Sequence, residues 1–456
     1  MKKLLLSLTV LVIASIAPNL SGADFPALEK YIQTALGSNL KIKQAYQNIR
    51  ESHAAHREAY FRFFPTLDFE SRYSYSGGGR KIVIDPSEFL SGNLPPGIEV
   101  GGKKEINFLR ETEHDTRFSL QQPLFTGGMI RNSYNASEMK YRATQSEYKQ
   151  VKEEVIEEIS RGYFNYLMTL RLKSVARSNL ELAEQHLRVA KSLYQAEKVS
   201  QAEVFRAEVA VSSAQQALAE SRQQVVVSRT YFNNILNRPP GDSIEVDQLK
   251  HEIIRISLPV DELADISDYR ELAENNRAEL DVVRYNRSSL EYLRKVRKAE
   301  YYPRLSLGAV YGWQGEKLRF DFPHDYWTVS LLLQFNVFDW GARGERVKQV
   351  EAQIDNLSYV YDDLRRGIEL QVTRAYQNLM TLVEKWNAAR QQLKSARENL
   401  RITEIQYNQG LASQITYLDA QNELTRAQSN LVIVYYECLS ARASLDRACG
   451  VGHRKY

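Results

Sequence analysis

The chain of 456 residues is poor in cysteine, with two, and in proline, with twelve. No stretch after residue 17 holds 18 consecutive apolar residues, so nothing in it reads as a membrane-spanning helix. Cys438 and Cys449 stand eleven apart in one helical pattern. That spacing puts them about 16 Å apart on nearly one face, beyond disulfide reach, and both are expected as small core residues. An excess of one charge is missing too. The formal net charge is +4, or +2 without Lys2 and Lys3, with acids and bases interleaved, which leaves no footprint for nucleic acid. Catalytic signatures are absent: there is no HExxH, no GxSxG and no phosphate-binding Gly-Lys-Ser/Thr loop. His53 and His56 lie at i, i+3 and could touch one metal, but no carboxylate or cysteine cluster completes a site. His114, His186, His251, His324 and His453 are scattered and expected to face solvent. No enzyme activity, cofactor or metal is expected.

What the chain does have is a duplication. Residues 407–421 repeat the layout of residues 194–208 at an offset of 213. Tyr407 falls on Tyr194, Ser413 on Ser200, Gln414 on Gln201, Leu418 on Phe205 and Ala420 on Ala207. The register runs without a gap from Leu120/Leu333 to Asn237/Gly450, and a second offset of 238 aligns Phe64-Pro65-Thr66-Leu67 with Tyr302-Pro303-Arg304-Leu305. Repeat 1 is expected over residues 24–237 and repeat 2 over 268–450. A linker at 238–267, with Pro239-Pro240-Gly241 and Pro259, is expected to fold against the outside of the helices, and 451–456 form a short tail.

Before the first repeat, Met1-Lys2-Lys3, an apolar run to Ala17 and the small residues Ser21-Gly22-Ala23 predict a signal peptide over 1–23 and export. No Cys follows them to carry a lipid anchor. Each repeat opens with a helical segment (24–63 and 268–301) that an aromatic-Pro step stops. Beyond each Pro the period changes to two. Leu67, Phe69, Tyr73 and Tyr75 alternate with Asp68, Glu70, Arg72 and Ser74; Trp327, Val329, Leu331, Leu333, Phe335 and Val337 alternate with polar neighbours. Strands are expected at about 66–76, 115–125, 304–314 and 327–338. Lipid-facing barrel strands need this pattern, and a soluble sheet with one buried face produces it as well. The signal peptide and the long helices favour the membrane. A long exposed loop is expected at 77–114.

After the strands the chain turns at Phe125-Thr-Gly-Gly128 and Phe338-Asp-Trp-Gly341 into long helices. In the second repeat Val347, Val350, Ile354, Leu357, Tyr361, Leu364, Ile368 and Val372 follow three–four steps, a coiled-coil seam. About 65 residues make a helix of ~100 Å, which acts as a spacer. Each hairpin has its tip near 194–203 or 407–416. Four amphipathic strands cannot close a transmembrane barrel, and an open edge in lipid leaves unpaired backbone groups. A membrane location thus requires several copies, twelve strands if there are three.

The signal peptide, the duplicated unit, the Gln122–Gly128 turn and the tip Tyr407-x-x-Gly410…Leu418-Asp419-Ala420-Gln421 together resemble the TolC-like outer-membrane efflux protein family across essentially the whole mature chain. The resemblance implies a mainly α fold with membrane β-strands, each unit contributing two strands and a long coiled-coil hairpin. A homotrimer would form a 12-stranded barrel continued by an α-helical periplasmic tunnel. It implies a passive exit duct in the outer membrane, served by a periplasmic adaptor and an inner-membrane pump, for small toxic compounds or secreted proteins. A soluble periplasmic coiled-coil scaffold is the alternative. Carried over by position, Asp419 and Thr416 are candidate residues of a periplasmic constriction, and Asp419 is equally readable as a solvated helix-face charge. Tyr407, Gly410, Ser413, Glu203, Tyr194 and Ser200 are candidates for the tip latch and adaptor docking, with a Tyr407–Glu203 hydrogen bond expected in the latch. Glu197 replaces the tip Gly in the first hairpin, where φ > 0 is less accessible.

Overall fold

The computed structural model describes residues 25–76, 81–84, 103–107, 112–247 and 264–451. The signal segment, the tail after Val451, most of the 77–114 loop and residues 248–263 of the linker lie outside them. The chain divides into two compact units.

The helical unit comprises residues up to Ser52, then 141–286, then 357 onwards. It is built from α1 (Pro26–Ser38), the start of α2 (Leu40–Phe61), most of α3 (Met129–Gln195), α4 (Gln201–Ile235), α5 (Ile266–Asn276), the start of α6 (Ala278–Ala299), most of α7 (Ala342–Asn408) and α8 (Gln414–Ala448). No proline interrupts α3 or α7, so nothing removes an intrahelical bond over 67 residues in each. Their apolar positions are what the unit buries. Ile368, Val372, Leu379, Trp386 and Leu393 from α7 share one core with Ile156, Ile159, Tyr163 and Leu167 from α3 and Leu424, Leu431, Leu439 and Leu445 from α8. Each such side chain contributes roughly 1.5–3 kcal/mol when fully buried. Cys438 and Cys449 are free and buried in it, and burial pushes both thiols up to about 12.

The opening helix of each repeat is two helices rather than the single one expected from periodicity. The breaks fall at Asn39 and Arg277, whose backbones are extended (φ −61°, ψ 134° and φ −65°, ψ 114°). The cause lies far away in sequence. Asn39 Nδ2 donates to the Ile235 carbonyl at the end of α4 (2.9 Å), while its Oδ1 accepts from Lys41 N–H (2.9 Å). Arg277 Nη1 donates to the Arg447 and Ala448 carbonyls at the end of α8 (3.3 and 3.2 Å). Ala448 sits where Ile235 sits in the first repeat, so both side chains satisfy carbonyls that a helix end leaves orphaned. Arg277 also bonds Glu279 (3.0 Å) and Gln371 (3.0 Å), and Glu279 accepts from Arg447 (2.7 Å). Beside them Glu153 is 3% exposed, 3.9 Å from Arg447, and burial pushes its carboxyl up to about 7.

The described part of the linker packs on α1 and α3. Asp247 accepts from Tyr163 Oη (2.7 Å) and Ala27 N–H (2.9 Å), and Glu245 N–H donates to Tyr31 Oη (2.7 Å).

The second unit comprises residues 53–140 and 287–356. Its sheet has the order β1 (Thr66–Tyr75), β4 (Thr112–Phe125), β5 (Arg304–Gly315), β6 (Asp325–Gln334), every pair antiparallel. Within the loop expected at 77–114, β2 (Lys81–Ile84) and β3 (Lys104–Asn107) pair as a ribbon, and β4 begins at Thr112. The fourth strand ends at Gln334, short of the expected 338, because its partner β5 starts at Arg304 after Pro303 and offers nothing further to pair with. One face exposes Leu67, Phe69, Trp327, Val329, Leu331 and Leu333, each more than 60% accessible. The other carries a polar row in register, Glu70, Arg117, Gly312, Tyr326. Arg117 bonds Glu70 (2.7 Å), and Tyr326 Oη reaches past Gly312 to Asp115 (2.9 Å).

The turn from β4 into α3 requires glycine. Gly127 has φ +61°, and a Cβ there would stand 2.7 Å from Tyr302 Cβ and 2.9 Å from the Ala299 carbonyl. Its counterpart Trp340 holds φ +55° with its ring 90% exposed.

Candidate functional site

The two hairpin tips are built alike. At the first, Lys198 N–H donates to the Leu193 carbonyl (2.9 Å) and Glu197 N–H to Tyr194 (3.0 Å); at the second, Leu411 N–H donates to Gln406 (2.8 Å) and Gly410 N–H to Tyr407 (3.0 Å). These paired bonds close a helix end around one left-handed residue. Gly410 supplies it at φ +74° and Glu197 at φ +54°. The non-glycine residue thus leaves the first turn's geometry intact and adds strain to it. Ser200 and Ser413 both start the next helix with extended backbones. Only Ser413 caps with its side chain, accepting from Thr416 N–H (3.2 Å) and bonding the Thr416 hydroxyl (2.9 Å). The Thr416 hydroxyl is therefore engaged in the cap.

Behind the second tip lies a buried polar box that sequence periodicity missed. His186 of α3, expected at the surface, is 4% exposed. Its ring stacks on Tyr417 of α8 (4.7 Å) and meets Tyr407 of α7 (5.5 Å), and Tyr407 stacks on Tyr417 (5.4 Å). Gln414, first residue of α8, puts one amide nitrogen 3.2 Å from His186 Nε2 and 2.7 Å from the Glu203 carbonyl of α4. Burial lowers the His186 pKa below its ordinary value. The available signal was Ala183, His186 and Ala190 at coiled-coil spacing, which sets His186 on the packed stripe. The Tyr407 hydroxyl is buried and makes no hydrogen bond among the described residues. Burial foremost, and then the Glu203 charge, raise its pKa. Within one chain the contact to Glu203 is thus made by Gln414 to its backbone, not by the Tyr407 hydroxyl. Tyr194, which matches Tyr407, is exposed.

Asp419 is exposed and makes no ion pair among the described residues. With Asn179, Phe205, Arg206, Val209 and Ile415 it lines a groove of about 640 Å3. Phe205, Val209 and Ile415 are more than half exposed.

Residues 31–238 and 269–451 match the family described as outer membrane efflux protein. The chain belongs to the outer membrane efflux protein family. Similar proteins include the solvent efflux pump outer membrane protein SrpC of Pseudomonas putida, 24% identical over 94% of this chain and 86% of that protein. Outer membrane protein OprJ of Pseudomonas aeruginosa is 22% identical over 86% of this chain and 78% of its own. The crystal structure of the Campylobacter jejuni CmeC outer membrane channel superposes with a TM-score of 0.74 at 18% identity, over 96% and 89% of the two chains.

As a family member the protein is an outer-membrane channel of an efflux pump, a transport duct and not a catalyst. The exposed apolar face of the sheet is accordingly a lipid-facing surface, and the helical part occupies the periplasm. The soluble scaffold reading falls, since the family and the relatives are outer-membrane efflux proteins.

Proposed function

We propose that three copies of this efflux protein close a twelve-stranded barrel and that their helices enclose a tunnel ending at the hairpin tips. The observation that carries this reading is the open sheet: among the described residues β1 and β6 each have one unpaired edge, and an edge in hydrocarbon costs several kcal/mol for each unsatisfied group. Pairing β6 of one copy with β1 of the next removes every edge. The exposed groove beside Asp419, with Phe205, Val209 and Ile415 on its walls, supports a docking role for the tips toward a periplasmic adaptor, which links the duct to an inner-membrane pump. Tyr194, Ser200, Gly410 and Ser413 shape those tips. Three copies of Asp419 would bring carboxylates together at the periplasmic mouth and favour cations, and the unbonded Tyr407 hydroxyl, close to Glu203, is available to a latch. The cargo is small toxic compounds, in keeping with relatives named for solvent and toluene efflux.

The test is the mass of the detergent-extracted protein together with its single-channel current in planar bilayers. The expected result is a mass of three chains, a cation preference, and a weaker preference in Asp419→Asn. Material that is monomeric and stable in buffer without detergent would overturn the proposal.

A further inference from the structure

The polar box behind the second tip has a property that packing alone does not require. One nitrogen of Gln414 serves two partners, His186 Nε2 at 3.2 Å and the Glu203 carbonyl at 2.7 Å. A carbonyl only accepts, so the shared Gln414 atom must be the amide nitrogen, a donor. His186 Nε2 must then present its lone pair. The bond exists only while the imidazole is neutral. Protonation would set N–H against N–H, and turning the amide to satisfy the histidine would strip the Glu203 carbonyl of its donor. Gln414 Oε1 is buried and has no hydrogen-bond partner among the described residues.

We infer that His186 is a proton-sensitive positioning residue of the channel mouth: while neutral it fastens the start of α8 to α3 and α4, and on protonation it lets the second hairpin tip go. That the tip forms the mouth rests on the reading proposed above; the fastening does not. The groups facing the ring are Tyr417 and Gln414 from α8 and Tyr407 from α7, and Gln414 in turn bonds the Glu203 carbonyl of α4. Glu404 and Glu203 act electrostatically on the two tyrosines, and no carboxylate bonds the imidazole among the described residues. A cation created there would have only tyrosine ring faces as compensation. The first tip lacks the device: Asn399 stands where the offset places His186, and it turns to Glu423 (3.5 Å).

Linkage fixes the direction of the effect. The ring's pKa is depressed in the closed tip and returns to about 6.5 when the tip is free. The fastening is therefore at full strength above about pH 6.5 and weakens as pH falls below it, by up to about tenfold per pH unit until the depressed value is passed. The experiment is amide hydrogen exchange of the detergent-extracted protein over residues 406–420 at pH 7.5 and 5.5, corrected for intrinsic exchange chemistry. His186→Phe keeps a ring in the stack, and His186→Gln keeps an acceptor; neither titrates. We expect tip protection to fall several-fold at acid pH in the parent and to stay level in at least one folded variant, as judged by unchanged protection in the α3 core around Ile159. Equal protection at both pH values in the parent, or the same acid loss in both variants, would overturn the inference. The mouth reading is checked apart from it by the cation preference of Asp419→Asn at neutral pH, where His186 stays neutral.

Discussion

Replacing Arg277 by alanine should damage this protein more than replacing its pseudo-symmetric counterpart Asn39. Asn39 makes two neutral bonds, to the Ile235 carbonyl and from Lys41 N–H, both at 2.9 Å. At about 1 kcal/mol each, Asn39→Ala should cost about 2 kcal/mol. Arg277 is 5% exposed and spreads its guanidinium over Glu279, Gln371 and the last carbonyls of α8. Burial is the largest influence on it and lowers its pKa, with Glu279 opposing. Breaking a buried pair by removing one partner typically costs about 3–5 kcal/mol. Here the low end applies, about 3 kcal/mol, because Glu279 keeps Arg447 at 2.7 Å and Gly450 N–H still serves the Arg447 carbonyl at 3.0 Å. Heat-induced loss of the helical circular dichroism signal, followed on parent and variants in one detergent, gives the order. Arg277→Met, which fills the space without the charge, should fall between the parent and Arg277→Ala. If Arg277→Ala melts no lower than Asn39→Ala, the bonds drawn to the end of α8 do not hold the second repeat together, and the reasoning fails.

Three further outcomes follow from the same structure. Glu153 has a folded pKa raised to about 7 by burial, so its stabilising influence is complete below the unfolded value near 4.5 and is lost as pH rises through 7. Glu153→Gln should flatten the fall in melting temperature between pH 6 and pH 8, and an unchanged fall would exclude this carboxyl as its source. At the tips, a Cβ on Gly410 meets nothing within 4 Å, so Gly410→Ala should incur only the left-handed backbone cost of about 1 kcal/mol. The amides of residues 406–411 should then exchange roughly fivefold faster. Glu197→Gly should slow exchange at residues 193–198; acceleration there would show that the Glu197 side chain contributes more than its backbone strain removes.

Much of the architecture was legible because it is written in short-range periods. The switch from a period of about 3.6 to a period of two after Pro65 and Pro303 needs only neighbouring residues, and β1 and β5 begin directly after those prolines. The tips were legible through Gly410 and Ser413. Other features were not. The breaks at Asn39 and Arg277 look like uninterrupted helix, because what extends their backbones is a helix end 196 or 171 residues further along the chain. Position alone points to a Tyr407–Glu203 contact and gives no sign that, within one chain, Gln414 bonds the Glu203 carbonyl. Residue type alone points His186 to solvent, whereas its spacing from Ala183 and Ala190 puts it on the buried stripe.

The sequence by itself determined that one unit is written twice, that each copy changes period at an aromatic-Pro step, and that its strands have one apolar and one polar side. All of these follow from residues a few positions apart, where chain geometry dictates the environment. Tertiary structure alone decided that Asn39 and Arg277 close distant helix ends, that Glu153 sits where its charge is costly, and that His186 must keep a lone pair for Gln414. Those outcomes depend on which groups meet after the helices pack, and a buried polar atom takes its partner, its protonation and its cost from neighbours in space.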